Sequence, residues 1–148
     1  KTIKLAKPKT NVITPNTAAI KALKKMKIKK IFLFTPYSKK LNDEVLEYFK
    51  SEDFDITSNA YFDIESDNDI GKIDQSYLYE VLSKIDLNNA EALFVSCTAL
   101  PVLPIIHKLE KKLNTTVLSS NQALIWDTLV KINKNNSVEG FGRLFQIN

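Results

Sequence analysis

Cys97 is the residue with the most chemistry to offer. It follows the apolar run Leu93-Phe94-Val95 and Ser96, and Thr98, Ala99, Leu100 and Pro101 come after it. That order places it where a buried strand runs into a helix. Amides at the start of such a helix would favour a thiolate. The same N–H groups could hold a carboxylate or an enolate oxygen. A thiol poised between base and acid suits proton transfer at carbon. A small buried core residue is the competing account of the same position, because free cysteine often packs that way.

Other chemistries find little to work with. The chain has one cysteine and one histidine, His107. This excludes an internal disulfide and any multi-cysteine or histidine-pair metal site, so no metal is expected. No G-x-G-x-x-G follows a strand, there is no P-loop, and the three glycines (Gly71, Gly140, Gly142) leave few places to cradle a pyrophosphate. No nucleotide cofactor is expected. The single arginine is Arg143, which rules out a cysteine phosphatase loop. A net charge of +4 made of lysine is a poor match for nucleic-acid readers, which spend arginine on bases and phosphates. The densest lysine cluster, residues 21–30, reads as a solvated helix face. No apolar run approaches the roughly 20 residues that span a bilayer, and no secretory leader is visible. A free thiol fits a reducing, cytoplasmic setting.

The elements that must position these residues follow from periodicity. Thr14-Pro15 starts a helix, with Ala18, Ala19, Ala22, Leu23 and Met26 inward. Residues 31–34 form a continuous apolar strand, the mark of burial on both faces. Ser38 caps a second helix to about Asp53, with Leu41, Val45, Leu46 and Phe49 as its stripe. Residues 54–62 alternate more and read as a strand nearer an edge. Residues 66–71 read as a polar turn. Asp74 caps a third helix with Tyr77, Leu78, Val81, Leu82 and Ile85 inward. Residues 92–95 form the third strand, Pro101 opens a helix to Leu113, residues 115–118 form a fourth strand, and Ser120 or Asn121 caps a fifth helix. Residues 133–140 read as a loop and residues 2–9 as a stretch without an element. The chain begins with Lys1, which reads as a processed, engineered or cut start.

Alternation of this kind predicts an α/β fold: a three-layer sandwich with a four-stranded parallel sheet. Sites in such sheets lie beyond the carboxyl ends of the strands. Three places qualify: Thr35-Pro36-Tyr37, the turn around Asn68, and Ser96-Cys97-Thr98.

The segment 93–100, then Leu109-Glu110, then Val117-Leu118-Ser119-Ser120-Asn121-Gln122-Ala123 through Trp126, resembles the second half of maleate isomerases. The wider likeness is to the aspartate/glutamate racemase superfamily, which includes arylmalonate decarboxylase. Residues 12–18, Phe34-Thr35-Pro36-Tyr37, Asp67-Asn68 and Gly140-Phe141-Gly142-Arg143-Leu144 agree with the pattern. The likeness runs from about Val12 to Phe145.

The resemblance implies one half of a two-domain racemase-like fold with the site between the halves. Residues 1–11 would connect from an N-terminal half outside this sequence, 12–139 would form the α/β domain, and 140–148 would be a closing tail. It implies a cofactor-independent isomerase or racemase of a small dicarboxylic or amino acid. Cys97 matches the second of the family's two catalytic positions, the acid/base thiol. Tyr37 matches a tyrosine that binds a substrate carboxylate, Asn68 an asparagine that contacts substrate, and the Thr98 N–H would line the carboxylate pocket. Asn121 reads as a helix cap, Trp126 as core, and His107 as a residue outside the chemistry. A homodimer is implied, and either the N-terminal half or a second copy would complete the pocket. A decarboxylase on the same scaffold, or a binding domain with Cys97 inert, are the other readings.

Overall fold

The computed structural model describes residues 2–134 and 137–147. Helices α1 (Thr2–Ala6) and α2 (Pro15–Lys25) lead into strand β1 (Lys30–Thr35). Then come α3 (Lys39–Ser51), β2 (Asp55–Tyr61), α4 (Asp67–Ile70), α5 (Gln75–Leu82) and β3 (Ala92–Val95). A 3-10 turn at Leu103–Ile105 precedes α6 (Ile106–Leu113), β4 (Thr116–Ser119), α7 (Ser120–Lys131) and a last 3-10 turn at Arg143–Gln146. The four strands form one parallel sheet in the order β2-β1-β3-β4.

Strand periodicity explains the layers. Ile31, Leu33, Ala92, Phe94 and Leu118 pack on one face with residues of α2, α3 and α7. Phe32, Phe34, Leu93, Val95 and Val117 pack on the other with α5 and α6. Side chains two apart share a face, so the continuous apolar runs feed both cores at once. That is the three-layer α/β sandwich the alternation predicts. β2 lies at an edge, as its weaker pattern implies, and only partly buries its side chains.

Several local expectations need correction. Residues 2–9 contain the short helix α1, and residues 66–71 contain α4 where only a turn was expected. In α3 the inward stripe is Asn42, Val45, Leu46 and Phe49, while Leu41 is exposed. Asn42 can point inward because its amide is satisfied: it accepts from the Thr35 hydroxyl at 3.0 Å and donates to Asn59 at 3.0 Å. Tyr77 is exposed and stacks on Phe62, leaving Leu78 and Leu82 as the buried face of α5. The expected loop at 133–140 runs through residues 135 and 136, which lie outside the described residues. The lysine cluster is a solvated face with two ion pairs, Lys21–Asp127 and Lys24–Glu52.

The C-terminal tail is fastened into the core. Leu144 and Phe145 are buried. The Arg143 N–H donates to both oxygens of Glu110, at 2.9 and 3.1 Å, and the Val117 N–H donates to the same carboxylate at 3.1 Å. Glu110 is only 4% exposed. Burial pushes its carboxyl above the ordinary value of 4.5, against the backbone N–H groups and the charges of Arg143 and His107, which pull it down. An acid with a raised folded value binds its proton more tightly folded than unfolded. Its contribution is therefore fully present below the unfolded value and is lost as pH rises through the folded one. Glu110→Gln removes that proton while keeping the acceptor oxygen. We expect urea unfolding of the wild type to lose stability relative to Glu110→Gln as pH rises from about 4.5. A wild type that instead gains on the variant over that range contradicts the assignment.

Candidate functional site

The sheet order fixes where a site can form. The chain leaves β1 toward β2 on one side, then crosses back to place β3 on the other. The carboxyl ends of β1 and β3 therefore bound a switch point, where α/β sheets open a crevice. Tyr37 follows β1 and Cys97 follows β3, so topology brings together two residues that lie 60 positions apart in sequence.

Cys97 is buried, 3% exposed. Its sulfur accepts the Ala99 N–H at 3.3 Å, and the Tyr37 phenol lies within electrostatic reach of it. Burial first, then the nearness of the Cys97 side chain, then the negative charge the Cys97 thiol and Asp67 can carry, raise the Tyr37 phenol well above its ordinary value. Tyr37 thus stays protonated at neutral pH and remains a donor. One backbone donor, the Ala99 N–H, therefore faces the sulfur, with the protonated phenol nearby.

A cavity of about 190 Å³ opens at this edge, lined by Thr14, Asn16, Tyr37, Ser96, Thr98 and Ser120 among others. No lysine or arginine lines it. Two helix N-termini supply positive potential instead. Thr14 caps α2 through a capping box with Thr17, and Ser119 caps α7 through one with Gln122. The backbone N–H of Thr98 has no partner among the described residues. Helix ends and a free amide beside a phenol form a basin suited to a small carboxylate.

Of the residues expected from sequence, Tyr37 and Thr98 line this cavity, and Cys97 is buried between its lining neighbours Ser96 and Thr98. Asn68 does not line the cavity: it is exposed on α4, and its neighbour Asp67 is the one within electrostatic reach of Tyr37. Two expectations about helix starts are corrected. Pro101 does not open a helix, because Pro104 restricts Leu103 and lacks a donor itself. α6 begins only at Ile106. The donor at Cys97 is thus a loop amide, that of Ala99, in place of a helix N-terminus. The cap of α7 is Ser119, not Ser120 or Asn121. The sequence carried that signal as Ser119-x-x-Gln122. Asn121 instead donates to the Thr98 carbonyl at 2.9 Å. Trp126 is buried, as its reading as a core residue expects. His107 lines a separate hollow of about 350 Å³ with Glu110 and Arg143. Among the described residues no group of three or more His, Cys, Asp or Glu could hold a metal ion. No helix among them is long and apolar enough to cross a membrane.

The arylmalonate decarboxylase family model matches residues 6–145. A maleate isomerase from Geobacillus stearothermophilus is 31% identical over 134 residues, covering 90% of this chain and 53% of that protein. Arylmalonate decarboxylase from Bordetella bronchiseptica is 23% identical over 135 residues, covering 89% of this chain and 56% of that protein. The chain spans about half the length of the curated relatives it matches. Among solved structures, a Nocardia farcinica maleate cis-trans isomerase superposes with a TM-score of 0.87 at 23% identity, covering 96% of this chain and 59% of that one. That structure is a cysteine-to-serine mutant with a covalently bound succinylcysteine intermediate.

Proposed function

The chain belongs to the arylmalonate decarboxylase family, and we propose on that premise that it is the Cys97-bearing half of a cofactor-independent isomerase of a small dicarboxylate. Maleate is the substrate we favour, because identity to the maleate isomerase exceeds identity to the decarboxylase over a similar length. The observation that carries the reading is the buried Cys97 thiol, held by the Ala99 N–H beside a basin that Tyr37 lines and that has no lysine or arginine.

In this reading one carboxylate sits against Thr98 N–H, Tyr37 and the ends of α2 and α7. A thiolate from outside this chain adds to one olefinic carbon. The electron pair moves to the other carbon and into its carboxylate as an enediolate, and the Cys97 thiol protonates that carbon. Rotation about the new single bond follows. Cys97 then takes the proton back and the carbon–sulfur bond breaks, releasing the trans acid with no net change in atoms or electrons. Residues 1–11 connect to the other half. A cytoplasmic homodimer completes the proposal: a free thiol suits a reducing compartment, and exposed Ile125, Phe141 and Val138 around an apolar hollow of about 220 Å³ give a second copy a surface to cover.

The family model itself favours a second reading, in which Cys97 protonates the enediolate left by loss of carbon dioxide from an arylmalonate. One experiment separates the two. The full-length protein is incubated with maleate, and fumarate is followed by proton NMR; a parallel sample receives an arylmalonate, with carbon dioxide release recorded. Fumarate formation is the expected result. Decarboxylation without maleate turnover selects the second reading, and inertness toward both acids sinks the first and the second together.

A further inference from the structure

We infer that Asn121 is a positioning residue for Cys97, acting through the single peptide that joins Thr98 to Ala99. The inference rests on the reading of Cys97 as the reacting thiol and adds a device that aims it. The Asn121 side-chain N–H donates to the Thr98 carbonyl at 2.9 Å, and the Ala99 N–H donates to the Cys97 sulfur at 3.3 Å. That carbonyl and that N–H belong to one planar trans unit, so they cannot turn independently. Holding the oxygen aims the hydrogen at the sulfur.

Nothing else does this. Among the described residues no backbone–backbone hydrogen bond ties residues 97–99, and Thr98 is exposed. Without Asn121 the 98–99 peptide is free to rotate and present its carbonyl to the sulfur, which would repel charge there. A bond to the carbonyl also polarises the unit and strengthens its N–H as a donor. Asn121 is available because it has no capping duty: Ser119 and Gln122 already cap α7. The link thus runs from the helix after β4 to the loop after β3, across neighbouring strands.

The test uses the full-length protein and alkylation of Cys97 by iodoacetamide, mapped by peptide mass spectrometry across neutral and alkaline pH. Asn121→Ala removes the donor without adding charge. Asn121→Ser likewise removes the amide donor without adding charge and is well tolerated in the first turn of a helix, so it remains informative where the alanine variant fails to fold. Loss of one hydrogen bond predicts alkylation about three- to tenfold slower at neutral pH in both variants, with the rate profile displaced to higher pH. Turnover should fall by a similar factor through kcat, with KM unchanged. Wild-type or faster alkylation in either folded variant overturns the inference. The underlying reading fails separately: Cys97→Ser that still turns over substrate removes Cys97 from the chemistry, whatever the Asn121 variants do to the thiol.

Discussion

Replacing Cys97 with alanine is expected to lower turnover of the full-length enzyme by about 10²- to 10⁴-fold, the range for a positioned acid/base group. The loss should appear in kcat. Of the basin groups that would hold a carboxylate, the Thr98 N–H and the two helix ends do not depend on the sulfur, so KM should move only a few-fold. Stability should change little: removing one buried sulfur costs about 1 kcal/mol. If the outside thiolate adds before Cys97 delivers its proton, the variant stalls at or before the adduct. Intact mass after incubation with maleate then distinguishes an enzyme that cannot bind from one that cannot finish. Turnover at the wild-type rate in Cys97→Ala would falsify the assignment outright and leave Cys97 as a packing residue, which its 3% exposure equally permits.

The strands were legible because each buried strand had to be apolar at successive positions to serve two cores. Ile31, Phe32, Leu33 and Phe34 split alternately between them. The site was legible to the extent that topology dictates it. A parallel sheet puts reactive groups past its carboxyl ends, and Tyr37 and Cys97 fall there. What periodicity could not convey was polar satisfaction. Asn42 looks like an outward residue until Thr35 and Asn59 supply its partners, and Leu41, read as inward, is at the surface. Asn121 was harder still, because its partner is a carbonyl, and a backbone acceptor leaves no mark in residue type. The delayed start of α6 was readable in Pro101 and Pro104, but only when both prolines are weighed together. Asn68 could be placed only by motif: its short helix follows β2, and its exposed side chain belongs to neither core, so periodicity had no hold on it.

Gly142→Ala is expected to destabilise the fold by about 2–4 kcal/mol, combining strain at a backbone conformation nearly closed to other residues with overpacking. Gly142 has φ +88°. A β-carbon there would stand 2.7 Å from Ile106 Cγ2, 2.9 Å from Gln122 Nε2 and 3.3 Å from Glu110 Oε2. None of the three can yield cheaply. Ile106 is fully buried under the sheet, Gln122 donates to the Phe141 carbonyl at 2.6 Å while serving the α7 capping box, and Glu110 holds Arg143 N–H. The side chain must therefore push the tail outward, breaking the Glu110 bonds and withdrawing Leu144 and Phe145 from the core. The same shift loosens Gln122 at the first turn of α7, two residues past the helix end that lines the cavity. Urea unfolding should show a lower midpoint, and limited proteolysis should cut after Arg143 sooner than in the wild type. Gly140→Ala is the control: its φ is also positive, at +85°, but its added β-carbon meets nothing within 4 Å. It should cost only the backbone strain. Equal losses in the two variants would show that packing against Ile106, Gln122 and Glu110 does not hold the tail.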